Sequence, residues 1–257
     1  MPAPRNRTSN PTLRAIAARG IPQARAGEGV MTVGGTVNKT IMLLALVVIA
    51  AAWVWSRYAL ALGGGTEAAA QAVSGYVIAG VIGGLVLAIA TAFKPTWARV
   101  TAPVYALLEG FFIGGVSALL NNAYPGFVLQ AVGLTFGVMF AMLLIYRTGL
   151  IKVTPAFQRG VMAATFGIVL FYGVSLLLRL FHVDTSALFG HTKLSIVISL
   201  VIVGIAALNL VLDFNFIDQG SAAGLPRYME WYGAFALTVT LVWLYLEILR
   251  LLAAARR

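Results

Sequence analysis

Seven stretches of some twenty residues, almost without charge, recur along this chain, near 41–62, 73–93, 101–120, 126–146, 160–181, 194–214 and 232–254. A helix rises 1.5 Å per residue, so each stretch is long enough to cross the roughly 30 Å hydrocarbon core of a bilayer. Between them lie short connections with turn chemistry: Gly63-Gly64-Gly65, Lys94-Pro95, Tyr124-Pro125 and Gly224-Leu225-Pro226. The runs are continuously apolar and lack the period-two alternation of membrane strands. In lipid, where backbone groups must be satisfied within the segment, that favours helices over a barrel. The expected fold is an all-α integral membrane protein, a bundle of seven transmembrane helices lying in a lipid bilayer.

Composition removes the competing classes. Of 257 residues, 60% are hydrophobic and 10% charged, with a mean hydropathy of +0.92, so a water-surrounded domain of this size would lack the polar surface to stay dissolved. The 18 Lys and Arg outnumber the eight Asp and Glu. Most of these cations sit in the tail and in connections, which fits topology signalling rather than nucleic-acid binding. With the N-terminus inside, Lys94, Arg99, Arg147, Lys152, Arg159 and Arg227 join the tail on one side, against Arg57, Arg179 and Lys193 on the other. Arg250, Arg256 and Arg257 run against that bias, leaving open whether the last helix fully crosses. Cysteine is absent, which excludes disulfides and thiolate chemistry.

Residues 1–38 read as a basic, disordered cytoplasmic tail with Arg5, Arg7, Arg14, Arg19 and Arg25, and 39–257 as one membrane domain. No apolar segment lies close to the start, so no cleaved signal peptide is expected. Gly80/Gly84, Gly110/Gly114 and Gly133/Gly137 fall four apart within spans, a spacing that lets helix backbones approach closely. Packing within the chain is the preferred reading over a dimer face, and a monomer is expected. The five tryptophans lie mostly near span ends, as in an aromatic belt.

Acidic residues are few enough to weigh singly. Glu28, Glu67 and Asp184 read as solvated, and Glu230 opens the last helix, where a carboxylate suits a helix N-terminus. Glu109, Asp213, Asp218 and Glu247 fall within or at the ends of spans. A charge at the bilayer centre costs about 3 kcal/mol or more, so these should face the bundle interior or a wet cavity. Glu247 has Arg250 one turn away and reads as a local ion pair, while Asp218 reads as a helix end. Asp213 is the strongest functional candidate. Asn209, Asp213 and Thr240, with Glu109, offer oxygens of the kind a hard cation needs, with Asp213 as the residue that would hold calcium.

Other motifs fail. Gly34-Gly-Thr-Val-Asn-Lys39-Thr40 lacks the glycine before lysine that a phosphate loop requires, and Asp213-Phe-Asn215 lacks the later ligands of a calcium-binding loop. The seventh span has no lysine for a retinal Schiff base, and His182 and His191 read as loop residues. No grouping points to hydrolysis, no enzymatic role is expected, and no cofactor is implied.

Taken together, Gly35-Thr-Val-Asn-Lys-Thr40, Ala102-Pro-Val-Tyr-Ala-Leu-Leu-Glu-Gly110, Gly149-Leu-Ile-Lys-Val-Thr154, Ala207-Leu-Asn-Leu-Val-Leu-Asp-Phe-Asn-Phe-Ile-Asp-Gln-Gly220 and Tyr228-Met-Glu-Trp-Tyr-Gly-Ala-Phe235 resemble the bacterial branch of the Bax inhibitor-1/YccA superfamily. The resemblance covers residues 32–254 and implies a bundle whose last helix is central, wrapped by the other six, in a bacterial inner membrane. It implies a pH-sensitive calcium leak channel gated by an aspartate on helix six and another on helix seven. Asp213 matches the first; Thr240 aligns with the second, and Glu247 lies seven residues further along the same stripe, about 10 Å away. Asp218 or Glu109 would then have to supply the second carboxylate. The alternative that the resemblance carries is an interaction protein restraining a membrane quality-control protease, without transport.

Overall fold

The computed structural model describes residues 29–183, 190 and 192–255. Seven helices span them: α1 (Val33–Ala61), α2 (Thr66–Phe93), α3 (Ala98–Ala123), α4 (Phe127–Arg147), α5 (Pro155–Leu180), α6 (Lys193–Ala222) and α7 (Met229–Ala255). All seven are long and apolar enough to cross a membrane. Their starts follow local chemistry. Thr32, Thr154 and Thr192 each cap a helix by accepting the N–H three residues on, and Pro155 follows Thr154 where a missing N–H costs nothing. Gly126 precedes α4 in the left-handed region (φ 85°), which a side chain would resist.

Burial ranks the helices. In α7, 61% of the most apolar stretch is buried, against 11% in α4 and in α5. The last helix is therefore the centre of the bundle, packed on α1, α3, α4 and α6. The wrapping is incomplete as contact: α2 packs on α1 and α3 instead, and α5 packs on α6, reaching α7 through Tyr172. Side chains such as Phe93, Leu129 and Leu180 point outward, as lipid-facing residues should.

Lipid provides no hydrophobic drive for helix association, so close packing and polar contacts must hold the bundle. Two of the three glycine pairs serve this purpose. A Cβ on Gly110 would stand 2.6 Å from the Val47 carbonyl oxygen, and one on Gly80 2.6 Å from that of Leu108. Gly133 and Gly137 have nothing within 4 Å, so the expectation of inward packing fails for this third pair. The spacing is the same; the pair simply lies on the outer face of α4.

The tail boundary also moves. Residues 29–38, assigned above to a disordered tail, include the first turn of α1 and Met31, which is 1% exposed. Val30 pairs in an antiparallel bridge with Pro226, Met31 N–H donates to the Leu225 carbonyl (2.7 Å), and Arg227 N–H to that of Gly29 (2.9 Å). The start of α1 is thus stitched to the α6–α7 connection. Residues 1–28 and His191, Asp184, Arg256 and Arg257 lie outside the described residues.

α7 runs parallel to α1: Thr36 lies beside Gly233, and further along Leu44 and Val47 share a groove with Leu241 and Val242. The C-terminal end of α7 therefore lies at the far end of the bundle from the start of α1. Arg250, which ran against the charge bias, is 3.0 Å from Glu247 and sits over the Tyr172 ring, so its charge is matched within the fold.

Candidate functional site

The candidate site lies where α6 packs against α7. α6 buries Ala206, Leu210, Phe214 and Ile217, spaced three or four apart, against α7. Asp213 sits beside that stripe, turned toward Thr240 and close to Tyr232, both on α7. Its Oδ2 is fully enclosed and has no hydrogen-bond partner. The Thr240 hydroxyl donates to the Ala236 carbonyl (3.2 Å), bonding back along its own helix. A buried carboxylate oxygen without a partner is costly, and as an anion it requires a cation, water or a proton to offset it.

The other candidates occupy separate places. Glu109 accepts from the Tyr105 hydroxyl one turn earlier on α3 (3.0 Å) and faces Gly84 of α2, where a Cβ would come within 3.4 Å of its Oε2. Asp218 accepts from the Tyr146 hydroxyl of α4 (2.9 Å), which ties α4 to α6 rather than merely ending the helix. Asn209 turns its amide to the Thr165 hydroxyl of α5 (2.8 Å) and to its own Ile205 carbonyl. Glu247 forms the anticipated ion pair with Arg250 and also accepts from Tyr172 (2.5 Å) and Trp243 (3.2 Å). Trp243 is accordingly not a belt residue but an inner donor, midway along α7.

The oxygen shell envisaged around a calcium ion is therefore not assembled. Only Asp213 and Thr240 come together; Glu109 is held by Tyr105 on its own helix, and Asn209 points to Thr165 on α5. Among the described residues, no group of three or more histidine, cysteine or acidic side chains could hold a metal. The reason is competition: each of these side chains has a hydroxyl or amide closer at hand.

A line of aromatic rings links two of the sites. Tyr232, beside Asp213, lies 6.4 Å from Phe235, which stands edge-on to Tyr105 at 5.0 Å, and Tyr105 holds Glu109. Asp213 and Glu109 are thus connected through the α7 face, with an apolar layer between them.

One charged centre was not anticipated. Glu230, 2% exposed, accepts from the Thr32 N–H (3.0 Å), the Thr32 hydroxyl (2.8 Å) and Lys39 Nζ (2.5 Å). It was assigned only to the start of its own helix, yet it serves the start of α1 as well, where orphan N–H groups and the helix dipole favour an anion. Gly35 must be glycine here, since a Cβ would strike the Glu230 carboxylate. A partial signal was present: helices one and seven of an odd-numbered bundle begin at the same end, which brings Lys39 and Glu230 to one side of the membrane without specifying that they pair.

A family model for Bax inhibitor 1 like proteins matches residues 5–257, and the chain belongs to that family. No curated protein and no solved structure matches it.

Proposed function

We propose that this member of the Bax inhibitor 1 like family is a pH-sensitive cation leak for calcium, with Asp213 as the group whose charge sets the fit between α6 and α7. The observation that supports this is the enclosed, unpartnered Oδ2 of Asp213 at the contact with the central helix. Thr240 stands opposite, so one carboxylate faces a hydroxyl here rather than a second carboxylate. Protonated, the carboxyl gains an O–H to donate to Thr240 and the helices can stay closed on a neutral pair. Ionised, it draws water or a cation into the contact. A charge change at one packed interface is the kind of local event that biases a helix arrangement.

Calcium flux into liposomes containing the purified chain, followed across pH, tests this reading. The native chain should conduct with a pH-dependent rate, and Asp213→Asn, nearly isosteric but unable to titrate, should give flux that no longer varies with pH. Equal profiles for the two proteins, or no flux from either, would end the proposal.

Restoring a carboxylate opposite Asp213 gives a second, signed prediction. In Thr240→Asp the two acids face each other and retain one shared proton to higher pH, because both cannot ionise at close range. The midpoint of the pH–flux profile should move upward by about one unit or more. An unmoved midpoint would mean that Asp213 does not titrate in the gating step.

A further inference from the structure

Three cations converge at the end of the bundle where α1, α3 and α7 begin. Lys39, Arg99, Arg227 and the Trp231 ring line a cleft of about 430 Å³. Lys39 Nζ is taken by Glu230 and lies 5.5 Å from the centre of the Trp231 ring. Glu230 is in turn saturated by Thr32 and Lys39, and Arg227 reaches it only at 3.9 Å. Against three positive charges the cleft therefore sets one carboxylate, already engaged, and carries an excess of two.

The position of the cleft selects its ligand. Arg99 is the second residue of α3, Trp231 the third of α7, and Arg227 lies two residues before α7. α1 has 29 residues and is about 43 Å long, more than the roughly 30 Å of hydrocarbon, so one or both of its ends must reach beyond the acyl chains. The charged starts of α1, α3 and α7 are the end that suits a headgroup layer. Flanking Arg99 along the chain, Phe93 (84% exposed), Trp97 (51%) and Val100 (70%) are exposed apolar side chains at the same end, with Lys94 Nζ 4.4 Å over the Trp97 ring. Guanidinium groups pair with phosphate oxygens in bidentate fashion, and indole rings suit the interface.

We propose that this cleft is a binding site for an anionic phospholipid, with the headgroup phosphate held by Arg99 and Arg227 at the rim of the Lys39–Glu230 pair and the acyl chains lying along Phe93, Trp97 and Val100. A zwitterionic lipid brings a cation of its own into a site with surplus positive charge, so net-negative lipids are selected. A soluble phosphate would use the same guanidinium groups but would make no use of the apolar side chains. The site is separate from Asp213 and does not depend on the transport reading.

Native mass spectrometry of the full chain, released from nanodiscs of equimolar phosphatidylglycerol and phosphatidylcholine with matched acyl chains, tests the assignment. The native chain should retain phosphatidylglycerol preferentially. Arg99→Gln with Arg227→Gln, both exposed positions that leave Lys39–Glu230 intact, should lower that preference about tenfold or more. Lys152→Gln with Arg159→Gln removes the same charge at the same end outside the cleft and should change it little. Thermal unfolding in phosphatidylcholine alone should match the native chain for both double variants. No lipid preference in the native chain, or equal loss in both double variants, would overturn the proposal. So would displacement of phosphatidylglycerol by millimolar inorganic phosphate, which would mark a free-anion site.

Discussion

Replacing Glu230 by glutamine should destabilise the folded protein by about 3–5 kcal/mol, the usual cost of removing one partner from a buried ion pair. Glutamine keeps an oxygen for the Thr32 N–H and hydroxyl, so the N-terminal cap of α1 survives. What it removes is the countercharge of Lys39, whose side chain is only 17% exposed and is held in place by α1 and the Trp231 ring. Lys39 would then have to remain charged in a poorly hydrated place or pull away, loosening the pairing of residues 29–31 with 225–227. For a chain of this length the thermal midpoint should fall on the order of 10 °C. Adding Lys39→Met should recover most of the loss, because removing both charges leaves neither stranded. A fall in stability of less than about 1 kcal/mol for the single change would show that water reaches Lys39 freely. No recovery in the double variant would show that the pair is not the source of the effect.

That pair also marks a limit of what hydropathy and local spacing encode. The seven spans were legible because a bilayer imposes length and apolarity together, and nothing else in the chain meets both demands. The beginning of α1 was not, since Thr36, Asn38, Lys39 and Thr40 make it look like a solvated tail. In the fold, the hydroxyls of Thr36 and Thr40 bond back to carbonyls four residues earlier, and Lys39 is neutralised from 191 residues away. Helix six was found, though it runs to Ala222, eight residues beyond the apolar span; Asp213 and Thr240 do face each other, a relation the family resemblance implied rather than any spacing. The Tyr105–Glu109 bond lies at the four-residue spacing of one helix face and could have been read directly. Asn209 could not: an amide mid-span announces that it needs a partner, but not that the partner is Thr165 on α5. Polarity in a span predicts that a contact exists, while its direction is set by helix rotations that hydropathy does not encode.

The glycine pairs show the same limit with a sharper test. Gly114→Leu should cost about 3 kcal/mol or more, whereas Gly137→Leu should change stability by less than about 0.5 kcal/mol. A Cβ on Gly114 would stand 2.5 Å from the Ala51 carbonyl oxygen and 2.7 Å from its Cα. Both atoms are backbone, so no rotamer change can relieve the overlap; α1 and α3 must separate. Separation would widen the whole contact, because Gly110 meets Val47 and Ala50 one turn away in the same groove. It would also open the apolar crevice that Gly114 lines with Ser117 and Tyr245, exposing their 2.7 Å hydrogen bond. Gly137 has the same four-residue companion but open space beyond it, and a leucine there would extend into lipid, which welcomes it. Thermal unfolding of each variant in nanodiscs separates these outcomes. A native midpoint for Gly114→Leu would mean that α1 and α3 slide without cost, contradicting the close packing on which lipid-embedded helices depend. A large loss for Gly137→Leu would mean that the outer face of α4 is covered after all, and since no described residue comes within 4 Å of a Cβ there, the cover would have to lie outside the described residues or be another molecule.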